Sequence, residues 1–569
     1  MDFSAALCAI NAKYIHSSLA PWCLAAGVET HAPELADRVR VVEGTINEPP
    51  AAVLERLCEG APSVVTFSCY LWNITETQAL AAQVKQRLPQ TVVALGGPEV
   101  SYNAGDVLRR SSQVDYVLSG EGEESVPAFL RCLAAGQDPM AGNIPGLCGR
   151  VGDEVVERAP CVLPGDVPSP YTPRYLSALN GRIAYLETSR GCPYSCAFCL
   201  SGRCGKPRWF PLDRAFRDIL TLANSGAKTV KFIDRTFNAN PRHANAILAF
   251  ILEHYGRDIP AGVCFHFEIA GDILQEETFR LLERMPVGAV QLEIGMQSFC
   301  ERTLEAVRRK TDTRVLKQNI RRLVAMENMH IHIDLIAGLP FEDLATFADS
   351  FNEGYALGAS MLQLGFLKLL HGAAMREETE QYPCEFSPLP PYEVRSTPWL
   401  SGEDLALLHQ TEDALERVYN SRRFRHTAQY VLDATGLTPF AFYTALGRAA
   451  GDTVRLDLDG YTARLYEFCK TLPGVDSQCL RDALVCDRLA TNATGRLPAC
   501  LQVKDPLLAK AVRALAQNPA AAPRPGVRRG VAVLYAARQI AFVDYTQKNP
   551  VTARYVLHRI PIDNLSDQC

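Results

Sequence analysis

Short β-branched runs alternate with helical patterns along most of this chain, and they do so in two separate series. The first series places candidate strands at 3–10, 39–43, 63–69, 91–95 and 114–118, with helical stretches such as 75–88 and 124–135 between them. Strand, helix, strand at this spacing predicts a parallel sheet wrapped by helices on both faces. Ligands of such sheets sit beyond the carboxyl ends of the strands, so the segments to examine are 11–18, 68–73, 96–101 and 120–123. Pro160, Pro164, Pro168, Pro170 and Pro173 then mark a linker. A second series follows, with strands at 183–189, 230–234, 263–270, 290–296, 330–337 and 361–367. Six strands are too few for a closed eight-fold barrel and predict a partial one.

A Pro-rich stretch at 386–398 ends that unit. The remainder reads as mostly helical and closes with strand-like runs at 530–536, 541–545 and 553–558. The expected division is a doubly wound, Rossmann-like domain over 1–165, a linker over 166–182, a partial (β/α)6 barrel over 183–385, and a C-terminal accessory or substrate domain over 386–569.

Composition narrows the function. Hydrophobic residues are 47% and charged residues 21%, which excludes a disordered chain. A net charge of -5 excludes nucleic-acid binding by bulk charge. Between 501 and 569, ten Lys or Arg stand against four Asp or Glu; that balance reads as a solvated face, with contact to an anionic substrate or RNA as the alternative. Every apolar run is too short to span a bilayer. Residues 3–10 resemble a signal core but lack a basic flank, and Asn11-Ala12-Lys13 follows at once, so they read as a strand. The expectation is a soluble, cytoplasmic protein with no membrane contact, a monomer or weak dimer. Nineteen cysteines, an odd number, do not suggest a disulfide framework here. Cys8, Cys58 and Cys132 read as small buried hydrophobes.

One cysteine group is different. Gly191-Cys192-Pro193-Tyr194-Ser195-Cys196-Ala197-Phe198-Cys199 follows the first strand of the second series directly. Three thiols spaced C-x3-C-x2-C can converge on one small cluster from a single loop. A four-iron cubane takes four ligands, so three thiols leave one position open. A zinc site closed by Cys204 is the alternative.

With Phe198 as the aromatic before the last thiol, this loop resembles the signature of the radical S-adenosylmethionine (SAM) superfamily, C-x3-C-x-aromatic-C after the first strand of a partial barrel. The resemblance implies that Cys192, Cys196 and Cys199 hold a [4Fe-4S] cluster whose open iron binds the amine and carboxylate of SAM. Reductive cleavage of SAM then yields a 5'-deoxyadenosyl radical that abstracts hydrogen from a substrate. It also implies an electron donor such as flavodoxin or ferredoxin. On the second barrel strand the family's Gly-Gly-Glu is absent; Asp234 or the Thr236 hydroxyl stands where the SAM amine would be held. Asp234 as a strand-end cap is the bland alternative. The third strand alternates Phe265, Phe267 and Ile269 with His266, Glu268 and Ala270, and its polar face suits a polar cofactor. The fourth resembles the ribose-contacting strand, with Glu293 and Gln297 as candidates, and Gly338 belongs to a turn like the family's adenine-side turn. His330, His332 and Asp334 share one face of the fifth strand; they read as cofactor or substrate lining, with a second metal as the alternative.

A doubly wound domain ahead of such a barrel resembles the cobalamin-binding (B12-binding) subclass, in a subgroup with a C-terminal domain of unknown function. The carrying residues are Asn11, Lys13, Tyr14, His16 and Ser17 after the first strand, Gly96-Gly97-Pro98-Glu99, and Gly120-Glu121-Gly122-Glu123. Gly96 and Gly97 would let backbone approach a corrin edge. Tyr70 and Trp72 would offer apolar surface, and Ser17, Ser68 and Asn73 hydrogen bonds. Asp-x-His-x-x-Gly is absent, which implies that no histidine ligates cobalt and that Tyr70 or Trp72 covers the lower face.

The leading expectation is therefore a cobalamin-dependent radical SAM methyltransferase acting on an unknown small molecule, peptide or RNA. Rearrangement or cyclisation with the same cofactors is the enzyme alternative. A tRNA methylthiotransferase would need a second cluster from scattered thiols such as Cys8, Cys23, Cys58 and Cys69. A non-catalytic cobalamin or Fe–S sensor is the remaining class. Tyr430, Phe440, Phe442 and Tyr443 are candidates for lining the barrel mouth, or for core.

Overall fold

The computed structural model describes residues 3–203, 205–450, 456–503, 506–517 and 526–562. Packing divides the chain into two units. The first comprises Met1–Glu293, Leu304–Asp312 and Phe366–Pro398; the second comprises Ile294–Thr303, Thr313–Gly365 and Trp399–Cys569.

The first unit opens with a seven-stranded sheet. Its first strand, Ala5–Asn11, is buried along its whole length, as a central parallel strand requires. Val39–Thr45 pairs on one side of it and Val64–Ser68 on the other, both parallel. Val92–Gly96 and Tyr116–Leu118 extend the sheet in parallel. The expected five strands are all present. Sequence periodicity missed two more: Leu147–Val151 and Glu154–Val156 add an antiparallel edge, so the sheet is mixed. Separate apolar clusters, one around Val65, Phe67 and Leu95 and one around Leu7, Val28 and Phe129, accompany this domain. The strand order reverses between Ala5–Asn11 and Val64–Ser68. A doubly wound sheet binds its ligand at that reversal, beyond the carboxyl ends.

The second sheet has six strands in chain order: Ala184–Leu186, Thr229–Phe232, Cys264–Ile269, Val290–Gln297, His330–Ala337 and Met361–Phe366. The early pairs are parallel, with Tyr185 opposite Lys231 and Lys231 opposite His266. Six strands in chain order with intervening helices form the expected α/β partial barrel.

In the second unit, Ser401 and Asp404 form a reciprocal cap that starts the helix Gly402–Leu415. Further helices run over Arg425–Thr435, Leu458–Cys469 and Ser477–Thr491. Asp487, fully buried on the last of these, caps the first by accepting the backbone N–H groups of His426 and Thr427. The closing sheet is antiparallel: Arg529–Leu534, Gln539–Asp544, His558–Pro561. Its third strand starts where 553–558 was expected to end, because Ala553 takes a positive φ of 55° that breaks an extended run. Phe442 and Tyr443 are fully buried core, and Tyr430 donates its hydroxyl to the Asp476 carbonyl. Among the described residues no helix is long and apolar enough to cross a membrane. Cys8 and Cys58 are buried and unpaired as expected, whereas Cys132 is only half-buried.

Candidate functional site

Within the first unit, the loop carrying Cys192, Cys196 and Cys199 leaves the barrel between two short antiparallel strands, Ser189–Arg190 and Arg208–Trp209. Backbone bonds pin it: Ala197 N–H donates to the Val307 carbonyl at 2.9 Å, and Met375 N–H to the Ala197 carbonyl at 3.0 Å. Cys196 is buried, while Cys192, Phe198 and Cys199 are half-buried. Burial pushes the Cys196 thiol up, and Cys199 and Cys192 add to that; Arg309 opposes them. The Arg309 guanidinium donates toward Cys196 Sγ at 3.9 Å. Thr236 Oγ1 lies 3.4 Å from Cys192 Sγ, so this predicted residue does reach the thiol loop.

Among the described residues no three thiols come within 4.8 Å of one another. A tetrahedral zinc with Zn–S near ~2.3 Å would draw its thiolates closer than that. Three thiols on one loop with a cation beside them suit an iron–sulfur cluster. Cys204, the candidate fourth zinc ligand, lies outside the described residues.

Asp234 sits beneath this loop and is fully committed. Its carboxylate accepts Thr188 N–H at 3.1 Å, the Thr188 hydroxyl at 2.7 Å and the Ser189 hydroxyl at 2.5 Å. Burial pushes this acid up to about 6 even against those bonds. The strand-end cap is thus the role its contacts describe. Glu268 and Glu293 flank Lys231, at 3.3 and 3.1 Å from its Nζ, and His266 Nε2 lies 2.8 Å from Glu293. Burial would lower the Lys231 ammonium, but Glu293 and Glu268 more than offset it and keep it charged. The polar residues expected to share a face do so, and their carboxylates face Lys231, a lysine that alternation did not mark.

The other barrel candidates belong to the second unit. Gln297 ends its strand at a positive φ of 70°, and Gly338 opens a turn at φ 95°. Glu342 in that turn is fully buried, accepting the Ser298 hydroxyl at 2.6 Å and the Ser350 hydroxyl at 3.0 Å. Nothing in the sequence singled it out. On the fifth strand His332 Nε2 lies 2.9 Å from Asp334. Burial raises Glu342 from 4.5 to about 7. Its contribution to stability is complete below the unfolded value and is lost as pH rises through about 7; the span amounts to about 3 kcal/mol. Glu342→Gln should flatten the pH dependence of local stability between pH 4.5 and 7 and stabilise this turn at pH 8. An unchanged pH dependence of amide-exchange protection at residues 298–303 and 338–350 would refute that role.

At the reversal of the first sheet, Tyr70 and Trp72 stack face to face, with centroids 4.5 Å apart and planes 7° apart. Trp72 is 48% exposed, Tyr14 65% and Ile15 46%. Exposed aromatic and aliphatic groups at a ligand crevice suit the flat face of a macrocycle such as a corrin. Burial raises the Tyr70 hydroxyl to about 12. Lys13 is exposed, and His16 Nδ1 lies 2.7 Å from the Tyr185 hydroxyl.

The remaining candidates bond to the protein itself. Asn11 donates to Glu43 at 2.8 Å, and Ser17 to the Ile183 carbonyl at 2.7 Å. Asn73, fully buried, bonds the carbonyls of Ile10 and Ser68, so it builds the loop. Glu99 accepts the Tyr392 hydroxyl at 2.5 Å, and Pro98 precedes it in the same turn. A Cβ on Gly97 would meet the Cys69 carbonyl oxygen at 2.5 Å, and one on Gly120 would collide with the Cys161 backbone. Both take positive φ, and what lies against them is their own chain. Glu121 and Glu123 pair with Arg190 at 3.2 and 2.5 Å, and Glu121 also pairs with Arg208.

Comparison with known proteins agrees with this geometry. Three family models match: the B12 binding domain over residues 6–130, the Radical SAM superfamily over 186–353, and the protein of unknown function DUF4080 over 380–525. A 2-(S-pantetheinyl)-carbapenam-3-carboxylate methyltransferase from Streptantibioticus cattleyicolor is 29% identical over 54% of this chain and 48% of its own length. The cobalamin-dependent radical SAM methyltransferase TokK from Streptomyces tokunonensis is 28% identical over 63% of this chain and 55% of its own. The chain thus spans about half the length of these curated relatives. Among solved structures, the cobalamin-dependent radical enzyme OxsB with aqua-cobalamin matches at TM-score 0.59 and 12% identity, covering 86% of this chain and 79% of that one. TsrM from Kitasatospora setae matches at TM-score 0.54 and 17% identity, covering 67% and 78%.

Proposed function

We propose that this chain, a radical SAM protein with a B12-binding domain, is a cobalamin-dependent methyltransferase that acts on an unactivated position of its substrate. When bound, the cluster with SAM supplies a hydrogen-abstracting radical, and cobalamin supplies a methyl group. The observation that carries the reading is that the thiol loop and the open Tyr70–Trp72 platform both lie at strand ends of the first packing unit. Cys192, Cys196 and Cys199 hold the cluster, with Thr236 beside Cys192 and Arg309 beside Cys196. Tyr14, Ile15 and Trp72 exclude water from the corrin face. Lys231 pairs with the Glu268 and Glu293 carboxylates and His266 bonds Glu293, which fixes Glu293 as a candidate for the SAM ribose. A flavodoxin- or ferredoxin-like protein delivers the electron, and the C-terminal region positions the substrate. The two relatives described above are named as methyltransferases, which supports methyl transfer over rearrangement.

The test needs no known substrate. Protein prepared without oxygen and loaded with iron and cobalamin is reduced with SAM carrying a deuterated methyl group. Cobalamin extracted afterwards should carry the label, and 5'-deoxyadenosine should accumulate. Deoxyadenosine without labelled cobalamin would replace methyl transfer by rearrangement or cyclisation. Tyr70→Ala/Trp72→Ala should lower cobalamin retention severalfold and leave iron content unchanged.

A further inference from the structure

The glutamates of the 120–123 loop pair with the arginines at the base of the thiol loop. Arg190 and Arg208 are directly cross-strand partners in the short antiparallel pair that closes residues 191–207 into a loop. Two guanidinium groups so placed repel each other. Three carboxylates surround them. Arg190 bonds Glu121 at 3.2 Å, Glu123 at 2.5 Å and Glu187 at 2.8 Å, and Arg208 bonds Glu121. The side chains of Arg190, Glu121 and Glu123 are 12%, 15% and 4% exposed, so water screens these pairs little. The loop bearing the glutamates is itself fixed: Glu121 N–H donates to the Cys161 carbonyl at 2.9 Å, and Leu163 N–H to the Glu121 carboxylate at 3.2 Å. A small apolar joint of Cys161, Leu163, Val167 and Phe210 backs it, with Arg190 over the Phe210 ring. Arg190 stands two residues before Cys192.

We propose that Glu121 and Glu123 of the B12-binding domain are positioning residues that hold the thiol loop closed, so that cluster binding in the barrel depends on the domain in front of it. The carboxylates neutralise the Arg190–Arg208 pair and thereby set where residue 191 leaves the barrel and where residue 207 returns. The inference rests on the cluster assignment above. It parts from the expectation that these glutamates touch cobalamin.

The test compares wild type with Glu121→Gln/Glu123→Gln and with Glu121→Asp, each full length and prepared without oxygen. Iron and sulfide per chain, bound cobalamin, and hydrogen exchange of residues 191–200 in the apo-protein are measured. The expected result is a severalfold loss of iron in the double variant with faster exchange confined to 191–200, and an intermediate loss in Glu121→Asp. Iron at the wild-type level in the double variant overturns the proposal, and loss of cobalamin alone returns the glutamates to the ligand role. If the double variant does not fold, wild-type iron in Glu121→Asp overturns it equally. Wild type that binds no iron would fail the cluster assignment instead, which keeps the two failures distinct.

Discussion

Replacing Cys192, Cys196 or Cys199 singly with alanine should leave a folded protein that holds no [4Fe-4S] cluster and forms no 5'-deoxyadenosine. The proposed shell has three protein ligands, and removing one leaves two, too few to keep a cubane. The loop is also held by backbone bonds that the sulfurs do not make. Ala197 remains bonded to Val307 and Met375 through its backbone, and Cys199 N–H donates to the Cys196 carbonyl at 3.0 Å. The loss is therefore chemical, and far-UV circular dichroism should be unchanged. Cys132→Ala, on the half-buried face of a helix in the first domain, is the control and should keep its iron. Iron at the wild-type level in a Cys196→Ala preparation would sink the cluster assignment.

The second large effect is expected at Arg182. Its guanidinium meets Glu43 at 2.8 and 3.2 Å and bonds the carbonyls of His16, Leu179 and Ala178. Glu43 also accepts Asn11, Ser18 N–H and Trp22 Nε1. The two side chains are 9% and 13% exposed. Burial opposes the Glu43 charge, yet bonds from Arg182 and Trp22 hold its carboxyl below the ordinary value. Its contribution is present above the unfolded carboxylate range and is lost as pH falls below it. Arg182→Met leaves a buried carboxylate without its cation and should cost about 3–5 kcal/mol. Arg182→Met/Glu43→Leu should cost clearly less than the sum of the single changes. A chain of this size does not unfold in two states, so protection of the 5–18 amides by hydrogen exchange is the right reading. Additive effects in that exchange would deny the coupling.

Much of the architecture was legible because its signals are local. Strand alternation and the thiol spacing each lie within a few residues of one another, and both sheets and the Cys192–Cys199 loop follow from them. The stretch 166–182, expected as a linker, instead carries the helix Pro173–Leu179, with Tyr175 and Leu179 fully buried. The antiparallel edge at Leu147–Val151 and Glu154–Val156 was missed because short, partly exposed strands carry little periodicity. Lys231 and Arg309 carried no local signal at all. Each is one basic residue among many until folding sets it against Glu293 or Cys196.

Residue type and strand-end position marked Asn11, Asn73, Glu99, Glu121, Glu123 and Asp234 as polar groups at ligand-binding ends of sheets. Only the tertiary structure decided what those groups bond to. Asn11 meets Glu43, Glu99 meets Tyr392, Glu121 and Glu123 meet Arg190, and Asp234 meets Thr188 and Ser189. A buried polar atom must find a partner, and here many of the partners come from distant parts of the chain. By itself the sequence determined which cofactors the loops are spaced for, since that depends on ligand type and local geometry. Which side chains remain open to those cofactors depends on long-range pairing, and that is settled only when the chain is folded.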